Sequence, residues 1–150
     1  MIEVQGYSFP ENLCYTEDNM WVRKDDDTLT IGFDDLASKL IGNILFIMLA
    51  DEGTHLSPGT VFGTVESMKW VERLKSPISG IIEEVNRNLE LDPTTVNREP
   101  YGGGWFVKVT PAPSIQEELS KLASEPGLKE WATKEIEKRL KQVAEPEKKR

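Results

Sequence analysis

The chain has 150 residues, one cysteine, one histidine and a formal net charge of −8, with 38% hydrophobic and 29% charged residues. That length suits one domain with a real core, no run approaches the roughly 20 apolar residues of a membrane span, and a single cysteine excludes an internal disulfide and argues against a Cys/His zinc site. The first 113 residues hold nine basic and eighteen acidic side chains, which speaks against nucleic acid and for docking on basic patches of other proteins.

The N-terminal Met1-Ile2-Glu3-Val4-Gln5 lacks the basic and apolar regions of a signal peptide. With the lone thiol Cys14, this predicts a cytoplasmic protein. Residues 1–19 are expected to be irregular, with Gly6, Pro10 and Asn12 as breakers. Met20 to Arg23 and Thr28 to Phe33 predict two strands around the turn Lys24-Asp25-Asp26-Asp27. Asp34 or Asp35 caps a short helix through Leu40 that ends at Gly42. Asn43 to Leu49 is strand-like, being rich in β-branched and aromatic residues, and Asp51 to Gly59 is a loop. Three strands follow around the Lys69 and Pro77 turns, reaching Val85. Asn86 to Gly104 is a loop, and Trp105 to Val109 a last strand.

After Pro111 and Pro113 the period changes to that of helices. Ser114 with Glu117 predicts a capping box. A second helix begins near Pro126, with Leu128, Trp131, Ala132, Ile136 and Leu140 on one stripe that packs on the β body. The expected organisation is a β domain over 1–113, a helical extension docked on it over 114–143, and a flexible tail over 144–150.

The chemistry is concentrated in Glu66-Ser67-Met68-Lys69, followed by Ser76-Pro77-Ile78-Ser79-Gly80. Val61 to Val65 leads into this segment and Gly80 to Val85 leads out. A lysine at the tip of a tight hairpin is displayed, so its amine can reach another protein's active site. That suits a swinging arm, in which the lysine is acylated by a prosthetic group. Glu66 and Ser67 can offer a polar face to the attaching enzyme, Pro77 and Gly80 set the return turn, and Gly63 lets backbones approach closely. Trp70 adjoins the lysine, where its ring can shield the arm. His55 has no acid–base partner in sequence, and Cys14 has the profile of an unreactive thiol. No acid/base/nucleophile set is evident, so no enzyme activity, catalytic residue or metal site is expected.

These residues carry a resemblance. Tyr15-Thr16, Trp21-Val22, Thr30-Ile31-Gly32, Phe62 to Lys69, Ser76 to Gly80, Glu84-Val85-Asn86, Pro100-Tyr101 and Gly104-Trp105 occur in the order found in the lipoyl-carrying H protein of the glycine cleavage system. The chain resembles that family from about Tyr15 to Val109. The resemblance implies a mainly β fold, a flattened β-barrel or barrel-sandwich hybrid with C-terminal helices, and lipoate attached covalently to Lys69. It also implies a lipoate-attaching ligase or transferase and dihydrolipoamide dehydrogenase as partners.

Three positions depart from the family pattern. Where the family usually reads His-Glu-Trp the chain has Asn19-Met20-Trp21; the acid four residues beyond the lysine is Arg73; the histidine after the Ile-Gly run is Leu36. Each change makes the arm's cleft a worse host for an ammonium group, and Arg73 a better host for an anion. On that ground the chain resembles the sister branch of lipoate-binding proteins from sulfur-oxidising prokaryotes. Their partner is a heterodisulfide-reductase-like complex. The alternative is glycine cleavage itself, with an aminomethyl cargo and with glycine decarboxylase and aminomethyltransferase as partners.

Overall fold

The computed structural model describes residues 1–144. The expected tail at 144–150 therefore lies outside the described residues, apart from Ala144, where the last helix ends.

The N-terminal segment is more ordered than its composition suggests. Ile2–Val4 (β1) and Tyr7–Phe9 (β2) form a hairpin in which Val4 pairs with Tyr7. Its two turn residues, Gln5 and Gly6, have φ of 51° and 88°. Two positive φ values match a turn whose twist suits a tight hairpin. Gly6 breaks no structure; it makes the turn. Three-residue strands are too short for their alternation to show in sequence. Cys14–Tyr15 (β3) then pairs with Met20–Asp25 (β4), which pairs with Thr28–Phe33 (β5) across Asp26-Asp27. β4 runs two residues beyond the expected Arg23, because the Asp25 carboxylate accepts hydrogen bonds from Arg23 Nε and Thr30 Oγ1 and fixes the strand end.

Asp34 caps α1 (Asp35–Leu40) as expected, accepting from the Ala37 amide at 2.9 Å. Gly42, at φ 81°, lets the chain leave the helix in a conformation that a β-carbon would strain. The remaining strands are Ile44–Leu49 (β6), His55–Leu56 (β7), Val61–Ser67 (β8), Val71–Lys75 (β9), Gly80–Val85 (β10) and Val107–Pro111 (β11). β7 lies inside the segment expected to be a loop. Two four-residue helices, α2 (Asn88–Leu91) and α3 (Thr95–Arg98), replace the loop expected over Asn86 to Gly104. Each is anchored by one fully buried side chain, Leu89 and Val96. One buried apolar residue per helix leaves no period to detect.

The strands form an antiparallel sheet in the order β3-β4-β5-β11-β10-β7 and a smaller one in the order β6-β8-β9. The two sheets face each other as a flattened barrel-sandwich. Phe106 joins the layers, with its ring 5.0 Å from Phe33 of β5 and 6.5 Å from Phe62 of β8. Met20, Ile31, Val65, Leu74 and Ile82 complete this core.

The C-terminal helices are α4 (Ile115–Ser120) and α5 (Leu128–Ala144). The capping box expected at Ser114 does not form. Ser114 has ψ near 4° rather than the extended backbone a cap requires, and its hydroxyl bonds Glu118 instead. Glu118 also accepts from the Ser79 amide and hydroxyl at 2.7 and 2.6 Å, tying α4 to the start of β10. Along α5, Leu128, Ala132 and Ile136 are fully buried against Phe9, Tyr15, Trp21 and Leu36. Trp131 is half-buried, tilted on Tyr15 and edge-on to Phe9. Leu140, expected on the same stripe, is 41% exposed. The packed stripe ends at Ile136. No helix among the described residues is long and apolar enough to cross a membrane.

Candidate functional site

The β8–β9 turn is locked by one side chain. Ser67 Oγ accepts from the Lys69 and Trp70 amides at 3.2 and 3.1 Å, while the Ser67 amide donates to the Trp70 carbonyl at 2.9 Å. Ser67 is accordingly buried, and its hydroxyl shapes the turn instead of facing a partner as sequence suggested. Met68 and Lys69 are left at the tip, Met68 at 79% exposure. The Lys69 ammonium makes no ion pair or side-chain hydrogen bond among the described residues. Glu66 is exposed on β8, opposite Val71.

The return segment is fixed in a similar way, by Ser76 Oγ donating to the Ile78 carbonyl at 2.7 Å. Gly80 does not set that turn by its own dihedrals. It lies in β10, where a β-carbon would collide with the Thr110 carbonyl oxygen and come within 2.5 Å of Val109 Cγ1. Gly63 is required for the same reason: a β-carbon there would lie 2.5 Å from the Met48 carbonyl oxygen.

Beside the hairpin is a cleft of about 480 Å³. One wall is Trp70 with β9, contributing Val71, Glu72, Arg73 and Lys75. Its floor includes Met20 and Phe33, and α1 supplies Ala37, Leu40 and Ile41. Asp18 and the end of α5, with Arg139, Gln142 and Val143, close the remaining sides. Met20, Trp70 and Arg73, chosen from sequence, thus meet at one cleft. Met20 is 1% exposed, so only its surface facing the cleft is available. Leu36 does not belong to the cleft; its side chain is on the opposite side of α1, within the α5 cluster.

Asp18, Glu72 and Arg139 were not legible as cleft residues. Asp18 sits on a turn, Glu72 on a terminal strand, and Arg139 arrives from a helix 120 residues away from Asn19, its partner. Beneath them is a buried polar group. Asn19 donates to Glu135 at 3.2 Å and accepts from Arg139. Asp34 Oδ2 has no hydrogen-bond partner within bonding distance among the described residues, and burial pushes the Asp34 carboxyl up to about 7, against the opposing pull of the Ala37 amide, the nearby Asn19 side chain and the Arg139 charge. Cys14 is half-buried, and burial pushes its thiol up. His55 is exposed.

Comparison with known proteins gives one answer. The family model described as Glycine cleavage H-protein matches residues 13–136. The glycine cleavage system H protein of Salinibacter ruber is 43% identical over 111 residues, covering 73% of this chain and 90% of that protein. The protein of that name from Bacteroides fragilis is 40% identical over 105 residues, covering 70% and 83%. A crystal structure of a glycine cleavage system H protein from Mycobacterium marinum matches with a TM-score of 0.74 at 30% identity, covering 83% of this chain and 99% of that one.

Proposed function

Because the chain belongs to the glycine cleavage H-protein family, a family of non-catalytic carriers with lipoate on a lysine, we propose that Lys69 is the attachment residue and that the arm serves glycine cleavage. In that role the chain moves an aminomethyl cargo between glycine decarboxylase and aminomethyltransferase, and dihydrolipoamide dehydrogenase reoxidises the arm. The observation that carries the attachment is the Ser67-locked tip, which presents an amine unpaired among the described residues next to a cleft with an apolar floor and charged sides. When bound, lipoate supplies a disulfide that takes up and releases a group as it is reduced and reoxidised. Trp70 and Val71 would flank its stem, and Met20 and Phe33 would underlie it. Asp18 and Glu72 give the cleft the carboxylates that an ammonium cargo needs in place of water. Peptide mass spectrometry of protein from its native host is the test. Lipoate on the peptide containing Lys69 supports the assignment, and lipoate elsewhere, or none, overturns it.

A second reading is favoured by the cations of the cleft. Arg73, Lys75 and Arg139 outnumber Asp18 and Glu72, and Met20 offers only a thioether. This balance suits an anionic sulfur cargo handed to a heterodisulfide-reductase-like complex. A reconstituted glycine decarboxylation assay separates the two. Turnover by the lipoylated wild type supports glycine cleavage. Turnover only after Met20→Glu combined with Arg73→Asp supports the sulfur cargo.

A further inference from the structure

Exposed apolar surface is unevenly spread over the molecule. Of eleven large apolar side chains exposed among the described residues, six belong to the β6-β8-β9 sheet and its hairpin: Leu45, Phe46, Met48, Val61, Met68 and Val71. The strand register gathers the most exposed of them on one face. Phe46 pairs with Glu66 and Glu66 with Val71, making one row; Met48 pairs with Thr64 and Thr64 with Arg73, making the next. Residues directly opposite share a face. The row between them, Ile47, Val65 and Glu72, points to the other side, where Ile47 and Val65 are buried. The outer face therefore carries Phe46 at 64% exposure and Met48 at 72%, bordered by Glu66, Val71 and Arg73. Glu66 and Arg73 form no ion pair among the described residues. The face runs into the hairpin without a break, because Glu66 and Val71 are its residues nearest Met68 and Lys69. Contiguous apolar surface with a polar border marks a site of protein association.

We propose that this outer face docks the enzyme that acylates Lys69, against a partner patch that is apolar at its centre and carries a cation for Glu66 and an acid for Arg73. The role rests on the carrier reading of Lys69. Reach singles out that partner. An enzyme that acylates Lys69 must bring its active site within one side chain of the hairpin backbone, so it covers the tip and the strands flanking it. Enzymes that act on the far end of the arm work an acyl chain further out and can leave the face bare. Area excludes a second copy of the chain. Three strands about 4.8 Å apart and ~17 Å long present roughly 250 Å², against the ~800 Å² per partner of a stable interface. A face of that size suits a partner whose footprint continues over the tip and which leaves once the amide is made. In that step the Lys69 amine forms a C–N bond to the acyl carbon of an activated acyl donor held by the enzyme. The bond from that carbon to its leaving group breaks, and one amine proton is released.

The test expresses the full-length chain briefly in its native host and measures acyl mass, octanoyl or lipoyl, on the peptide carrying Lys69. Phe46→Thr and Met48→Thr keep a β-branched side chain in the strand and remove apolar contact. Each is expected to lower the acylated fraction at early times by about three- to tenfold, and the double substitution by more. Ile81→Thr, at an exposed apolar position of β10 in the other sheet, is expected to match wild type. Melting temperatures of the purified variants separate lost docking from lost folding. After long expression the lipoylated double variant is reduced with dihydrolipoamide dehydrogenase and NADH, and its loss in early acylation is expected to exceed any loss in that reduction rate. Equal early acylation of wild type and the folded double variant overturns the proposal, as does an equal loss in Ile81→Thr. Equal losses in acylation and reduction also overturn it, since the face would then serve the enzymes of the arm's far end. Failure of the carrier reading is seen separately, as the absence of acyl mass on Lys69 of the wild type.

Discussion

At the scale of single residues, two side chains are predicted to separate function from stability. Lys69→Arg should abolish lipoylation while leaving the melting temperature within about 1 °C, because an exposed turn tip contributes little to folding. Asp34 should do the reverse. Its carboxyl is pushed up to about 7 by burial, so the folded chain holds the proton more tightly than the unfolded chain, where the group titrates at about 4. The stability it contributes is full below pH ~4 and is lost as pH rises toward 7. Asp34→Asn should therefore flatten the stability curve across that window and raise the melting temperature at pH 8 by roughly 2–8 °C relative to wild type. Thermal unfolding at pH 4 and pH 8 checks this; parallel curves for the two proteins would show that the carboxyl titrates normally.

At the scale of elements, packing sets the expectations. Ile136→Ala, at a fully buried position of α5, should cost about 2–5 kcal/mol in urea unfolding. Gly80→Ala should cost about 1–3 kcal/mol or more, since the obstruction is the Thr110 carbonyl, which cannot rotate away. Elements with a full period or a cap were legible in sequence: β5 is found at Thr28–Phe33, α1 at its Asp34 cap, and the helical spacing from Leu128 to Ile136 holds. Those of two to four residues, β1, β2, β3, β7, α2 and α3, were not, because each is too short to show a period of its own. The site divided in the same way. Lys69, Trp70, Arg73 and Met20 are local to motifs and could be read from them. Asp18 and Arg139 come together with them only through tertiary contacts, and the inward turn of Ser67 is a hydrogen-bonding choice that composition does not record.

For the whole molecule, we propose that residues 1–113 form the carrier body and 114–143 an extension it depends on. Ending the chain after Pro113 would uncover Phe9, Tyr15 and Trp21, now beneath α5, and should lower the melting temperature by many degrees. An unchanged melting temperature would make the extension dispensable. β9, last in the β6-β8-β9 sheet, has a consequence of another kind. Among the described residues no strand pairs with its outer side, the form of edge on which a foreign strand can grow. The charges of Glu72, Arg73 and Lys75, set along that strand beside the arm, also make it a poor template for such growth. A carrier that must meet several enzymes in turn, and remain attached to none, thereby keeps its most exposed strand from joining a neighbour's sheet.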